Sequence, residues 1–175
     1  MSESDLRDAV LYQLGALDAF AQVAGREVAY VKPHGALYQA AIDNEVHARA
    51  VVAAAAEYDP SLAVLGFPGS ALLAAAHAAG LEPVPEAFID RSYLPDGRLV
   101  PRSVPGALKS EPADAAEQAV RLATTDEVVA ADGSIVPMRA RSLCVHGDSP
   151  QGSIIATEAR RALEAAGVGI SPFAG

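Results

Sequence analysis

The chain has 175 residues, 51% hydrophobic and 20% charged, which is ample apolar material for one folded domain and excludes disorder as its overall state. Thirteen Lys and Arg against twenty-two Asp and Glu leave a net charge of -9, so the summed field repels polyphosphate and excludes a nucleic-acid partner. The single cysteine, Cys144, rules out an internal disulfide and a cysteine-built zinc site. No run approaches the roughly 18 apolar residues that cross a bilayer, and the start MSESDL lacks the basic-then-apolar order of a signal peptide. A cytoplasmic protein with no membrane partner is expected.

From Ser4, apolar positions Leu6, Val10, Leu14, Leu17 and Phe20 recur at helical spacing, with Ser4 as cap and Gly25 as the left-handed stop. Glu27 to Lys32 (EVAYVK) reads as a strand ended by Pro33. Asn44 caps a helix reaching about Glu57, Leu62 to Gly66 is a short buried strand, and Ser70 opens an alanine-rich helix closed by Gly80. Leu81 to Phe88 is another strand. Asp96-Gly97 and Asp132-Gly133 are hairpin-type turns, and between them Pro112 to Ala123 has helical spacing behind a first-turn proline. Ser142 to His146 is an apolar strand, Gln151 to Ala166 an amphipathic helix, and Val168 to Ser171 a terminal extended run. Strands separated by helices predict parallel pairing, hence an α/β fold with its chemistry at the carboxyl ends of the strands. No repeat or linker divides the chain, so residues 1–175 read as a single domain.

Three strand ends carry the candidate chemistry. In Lys32-Pro33-His34-Gly35 a cation and an imidazole leave the strand together, and glycine lets the backbone turn closely. Lys32 suits a substrate carboxylate or phosphate and His34 suits proton transfer or a metal; the competing structural reading is a snorkelling lysine and a loop-capping histidine. In Glu86 to Arg91 (EAFIDR), period-two alternation puts Glu86, Phe88 and Asp90 on one face. Two carboxylates there need cations if buried, and Arg91 or Arg102 is the expected source, the same pair offering a fork for an anionic substrate; a salt-bridged hairpin base is the alternative. In His146-Gly147-Asp148-Ser149-Pro150, an imidazole and a carboxylate flank a glycine before a helix whose first amides attract anions, though Asp148 or Ser149 also suits simple capping.

His47 and His77 fall inside helices without acidic or histidine partners at ligand spacing, and Cys144 reads as strand packing. Neither G-x-x-x-x-G-K-[ST] nor G-x-G-x-x-G occurs, so any ATP must be handled by a partner chain or an atypical pocket.

The ordered runs YQLGAL (Tyr12 to Leu17), VKPHGALYQ (Val31 to Gln39), EAFIDRSYLPDGRLVPR (Glu86 to Arg102) and CVHGDSP (Cys144 to Pro150) resemble the LamB/YcsF family, over nearly the whole chain from Leu6 to about Ser171. The resemblance implies a seven-stranded parallel β/α barrel of the glycoside hydrolase/deacetylase type. It also implies the A-component role in 5-oxoprolinase, the ATP-dependent hydrolytic ring opening of 5-oxo-L-proline to L-glutamate with separate B and C subunits. On that basis His34, Glu86, Asp90, His146 and Asp148 are expected in proton transfer, and Lys32, Arg91 and Arg102 in binding substrate charge. ATP is the expected co-substrate, and a divalent metal would fall to His34, His146 and Asp148.

The family pattern opens with an acidic D-x-N-x-D-x-G-E segment and an N-I-A-C-G-x-H-A-G-D segment, and neither occurs here. The expected barrel is therefore incomplete, with unpaired edges to be met by a complementing amino-terminal chain or a homo-oligomer. Two other functions compete: a truncated, non-catalytic assembly or regulatory module, and a metal-dependent amidase or deacetylase-like hydrolase using His34, His146 and a carboxylate.

Overall fold

Ser2 rather than Ser4 starts the first helix. In the computed structural model, which describes residues 1–174, the Ser2 hydroxyl accepts from the Asp5 amide at 3.1 Å while Asp5 reaches back to the Ser2 amide, a reciprocal capping box. Helix α1 (Glu3–Val23) follows. It buries Leu6, Val10 and Leu14, but the same spacing fails beyond them: Leu17 is 57% and Phe20 77% exposed. Gly25 takes the left-handed φ of 64° expected after a helix end.

Two compact units are formed, Met1–Pro85 and Glu86–Phe173. In the first, the expected strand over Glu27 to Lys32 shortens to β1 (Tyr30–Val31), because a strand lasts only where a neighbour supplies hydrogen bonds: Tyr30 and Val31 pair in parallel with Ala63 and Val64. A helix unforeseen in the sequence, α2 (Gly35–Asp43), leads directly into α3 (Glu45–Tyr58). Asn44 serves both, closing α2 and capping α3 by accepting from the Val46 and His47 amides at 3.0 and 3.2 Å. Strand β2 (Ala63–Gly66) is buried throughout, α4 (Ala71–Ala78) starts at the Ser70 cap, and β3 (Glu82–Phe88) pairs its first half in parallel with β2.

Alanine determines how this unit packs. Ala48, Ala50, Ala54 and Ala55 of α3 are fully buried, so neighbouring backbones approach closely around Leu6, Val51, Leu62, Val64 and Leu72. Each fully buried Val or Leu contributes roughly 1.5–3 kcal/mol relative to exposure.

In the second unit the latter half of β3, Glu86 to Phe88, pairs in parallel with β6 (Ser142–Cys144). Between them lie a long loop, α5 (Pro112–Thr125) with proline in its first turn, and an antiparallel hairpin of β4 (Glu127–Val129) and β5 (Ile135–Pro137). Gly133 turns that hairpin at φ 88°. The loop folds on itself through bridges Arg91 to Leu108 and Tyr93 to Leu99, with Gly97 at the tip. Helix α6 (Gly152–Ala165) packs on α5. The terminal run Val168 to Ser171 joins no strand, a departure from its apolar pattern, because no ladder partner lies beside it among the described residues. The pairing is that of a parallel α/β protein; closure into a barrel rests on the resemblance alone.

Candidate active site

The end of β3 and the end of β6 meet in the second unit, and the pair they bring together is Asp90 and His146. As the alternation predicts, Glu86, Phe88 and Asp90 share a face, all buried at 3–5% exposure. His146 follows β6 and lies over that face. Its imidazole stacks on the Phe88 ring at 5.4 Å with an interplanar angle of 14°. Its Nδ1 lies 2.9 and 3.0 Å from the two Asp90 oxygens, and its backbone N–H donates to Asp90 Oδ2 at 2.8 Å.

This geometry decides the tautomer. An ionised carboxylate only accepts, so Nδ1 carries the proton toward Asp90 and Nε2 is the ring nitrogen left for another group. Burial works against charge on Asp90, but the hydrogen bonds from the His146 side chain and backbone outweigh it and hold the carboxyl below its ordinary range. Asp90 is 7% exposed at its side chain and His146 25%, so the imidazole is the member of the pair that solvent or substrate reaches.

The expected arginine partners fall elsewhere. Arg91 is buried, its Nη2 donates to the Val100 carbonyl at 2.6 Å and its Nε to the Ala107 carbonyl at 3.3 Å. Burial, and next the nearby Arg102 charge, pull its pKa down from the usual arginine range. Arg91 therefore anchors the 91–108 loop, and the fork expected for substrate is engaged with backbone carbonyls. Arg102 is exposed, 3.8 Å from the still more exposed Asp148, a loose surface pair that an incoming anion can open. Glu86 lies buried in β3, opposite Ser142 in the ladder.

Lys32 and His34 belong to the first unit. Lys32 is half-buried with Nζ 5.9 Å above the Tyr38 ring, a cation–π distance. His34 is exposed at the start of α2 and its side chain makes no capping bond there. Of the remaining residues singled out in the sequence, Cys144 sits in β6, and His47 and His77 lie within α3 and α4 as expected.

Among the described residues no group of three or more His, Cys, Asp and Glu side chains is gathered to hold a metal ion. Nδ1 of His146 is already committed to Asp90, and Asp148 is drawn toward Arg102.

Two residues that the sequence reading passed over complete the site. Gln118 of α5, 5% exposed, donates from Nε2 to the carbonyls of Phe88, Ile89 and Arg91 at 2.8, 3.2 and 2.9 Å. Its signal was present: it is the polar member of a helical stripe otherwise formed by buried Ala115, Ala119 and Leu122. Gly152 is the other. A Cβ there would stand 2.5 Å from the His146 carbonyl oxygen, so only glycine lets α6 begin against the His146-Gly147 turn.

The LamB/YcsF family model matches residues 1–175. The chain belongs to the LamB/YcsF family. Among similar LamB/YcsF proteins, the A component of 5-oxoprolinase from Kocuria rhizophila is 50% identical over 173 residues, covering 99% of this chain and 69% of its own. The protein of that name from Streptomyces coelicolor is 52% identical over 170 residues, with 97% and 68% covered, and that from Neisseria meningitidis is 45% identical over 171, with 98% and 70% covered. The crystal structure of the lactam utilization protein from Thermus thermophilus superposes with a TM-score of 0.93 at 42% identity, over 99% of this chain and 69% of that one. Its α/β architecture is thus shared by this chain. No helix among the described residues is long and apolar enough to cross a membrane.

Proposed function

We propose that this chain acts as the A component of a 5-oxoprolinase, opening the lactam of 5-oxo-L-proline by hydrolysis to L-glutamate, with ATP as co-substrate and separate B and C subunits for partners. The observation that carries the reading is the Asp90–His146 pair. A buried carboxylate fixes one imidazole nitrogen and leaves the other, on a partly exposed ring, for proton transfer. Names of relatives about half identical to this chain support the same reaction.

Lactam hydrolysis needs a base for water and an acid for the leaving nitrogen. Neutral His146 Nε2 accepts the proton of the attacking water and returns it to the ring nitrogen as the C–N bond breaks, while Asp90 stabilises the imidazolium formed in between. Arg102 is the reachable cation for the substrate carboxylate, with Asp148 holding it until substrate arrives. Glu86 lies buried in β3, four residues before Asp90 in the sequence. Lys32 and His34 belong to the first unit, where the Lys32 ammonium suits an anionic group such as a carboxylate or phosphoryl. ATP gives its γ-phosphoryl group to the lactam oxygen with ADP leaving, and a second water releases that group as phosphate after the ring opens; with no nucleotide loop in the sequence, ATP binding falls to the assembly with B and C. The cytoplasm, where ATP is at hand, is the compartment this chemistry requires.

The test is glutamate release from 5-oxoproline by the purified chain combined with B and C subunits. ATP-dependent release that disappears when this chain is omitted is expected. Binding to B and C without release, even when the amino-terminal region of a relative is supplied, would instead favour a non-catalytic assembly module.

A further inference from the structure

A strand end presents a side chain accurately only if the turn beneath it is held, and the turn carrying Asp90 is held by two buried side chains, Gln118 and Tyr93. The carbonyls of Phe88, Ile89 and Arg91 flank Asp90 and converge on the single carboxamide nitrogen of Gln118, 27 to 30 residues away in the sequence. The site is dry: Gln118, Ile89, Asp90 and Arg91 are each 4–5% exposed. A carbonyl left there without a donor has no water to turn to. The Tyr93 hydroxyl adds a second hold on the same strand end, accepting from the Phe88 amide at 2.7 Å and donating to the Phe88 carbonyl at 3.1 Å. Burial keeps that hydroxyl protonated and able to donate.

We propose that Gln118 is a positioning residue for the Asp90–His146 pair: by gathering the three carbonyls around Asp90, its carboxamide fixes the direction in which the carboxylate meets His146. Gln118 touches neither substrate nor the reacting imidazole. Its importance for turnover rests on the 5-oxoprolinase reading; its effect on the geometry of the pair does not. The chemistry also explains why glutamine stands in an apolar stripe. Methionine would fill the same volume without a donor, and glutamate would set a carboxylate against three carbonyl dipoles.

The test compares Gln118→Met with a control in the same helix, Leu122→Ala, which opens a cavity but removes no hydrogen-bond donor. Two readouts are taken on the full chain: hydrogen exchange of the His146 backbone amide, which donates to Asp90, and the resonance of the His146 Nδ1 proton. In Gln118→Met the His146 amide should exchange about tenfold faster and the Nδ1 proton should shift upfield as its bond to Asp90 lengthens. Leu122→Ala should leave the Nδ1 resonance in place although it destabilises the helix. In the assembly with B and C subunits, Gln118→Met should lower kcat with KM nearly unchanged. An unmoved Nδ1 resonance in Gln118→Met, or an equal shift in both variants, would overturn the proposal. If Gln118→Met does not fold, couplings across the hydrogen bonds from Gln118 Nε2 to the Phe88 and Arg91 carbonyl carbons in the unaltered protein decide it: their presence is expected, their absence overturns it. Absence of turnover in the unaltered assembly would instead count against the 5-oxoprolinase reading and leave the resonance test standing.

Discussion

Asp90 directs both of its oxygens to one residue, accepting the His146 backbone N–H and ring N–H together, so a single change should show in both stability and catalysis. Asp90→Asn sets an NH2 group against Nδ1–H and favours the wrong imidazole tautomer. Turnover of 5-oxoproline in the assembly should fall about 10²–10⁴-fold while far-UV circular dichroism is unchanged. The acid limb of stability follows from the same pair. The carboxyl of Asp90 is lowered in the folded chain from its ordinary 3.8, so its contribution is fully present above that value and is lost as pH falls through the lower folded value. Urea titrations from neutral pH down to pH about 3 should therefore show a shallower acid loss in Asp90→Asn than in the unaltered chain. Gly152→Ala acts on the other partner: with 2.5 Å between the new Cβ and the His146 carbonyl oxygen, α6 or the turn must move. A loss of about 1–3 kcal/mol by chemical denaturation is expected, with glutamate release reduced beyond what the unfolded fraction explains.

At the scale of elements, caps and packing partners govern what forms. Asn44 closes one helix and opens the next, so Asn44→Ala should cost about 1 kcal/mol, read as a lower urea midpoint at unchanged slope, whereas Asn44→Asp should cost little. Phe20, 77% exposed despite its helical register with Leu6 and Val10, should tolerate Phe20→Ser with a change under about 0.5 kcal/mol. These cases mark what the sequence could and could not reveal. Helices α3 to α6 were legible because asparagine, serine, proline and glycine punctuate them. Helix α2 was hidden because its first residue is Gly35, at φ 57°, within a KPHG run that reads as loop. Strand β1 shortened because pairing depends on what lies alongside, which local propensity does not report. For the same reason the shared face of Glu86, Phe88 and Asp90 was readable, but the choice of His146 over Arg91 as the partner of Asp90 was not: it is made across 56 residues of chain.

For the molecule as a whole, the charge of -9 acts as self-repulsion that salt screens. Raising ionic strength from about 0.01 to 0.15 M should therefore raise the thermal midpoint, and a lower midpoint would place the excess charge in attractive pairs instead. The chain spans about 69% of the length of the Kocuria rhizophila relative and of the Thermus thermophilus structure that it matches. The most direct measurement exploits the two nitrogens of His146. In His146→Asn the side-chain amide can still donate to Asp90 where Nδ1 did, but nothing stands where Nε2 would take a proton. This variant loses the stack on Phe88 and should cost about 0.5–1.5 kcal/mol by urea titration while staying folded, and with B and C subunits, 5-oxoproline and ATP it should lose about 10²–10⁴-fold in glutamate release. Glutamate release at the unaltered rate from a folded His146→Asn chain would contradict the assignment of His146 as the group that moves the proton.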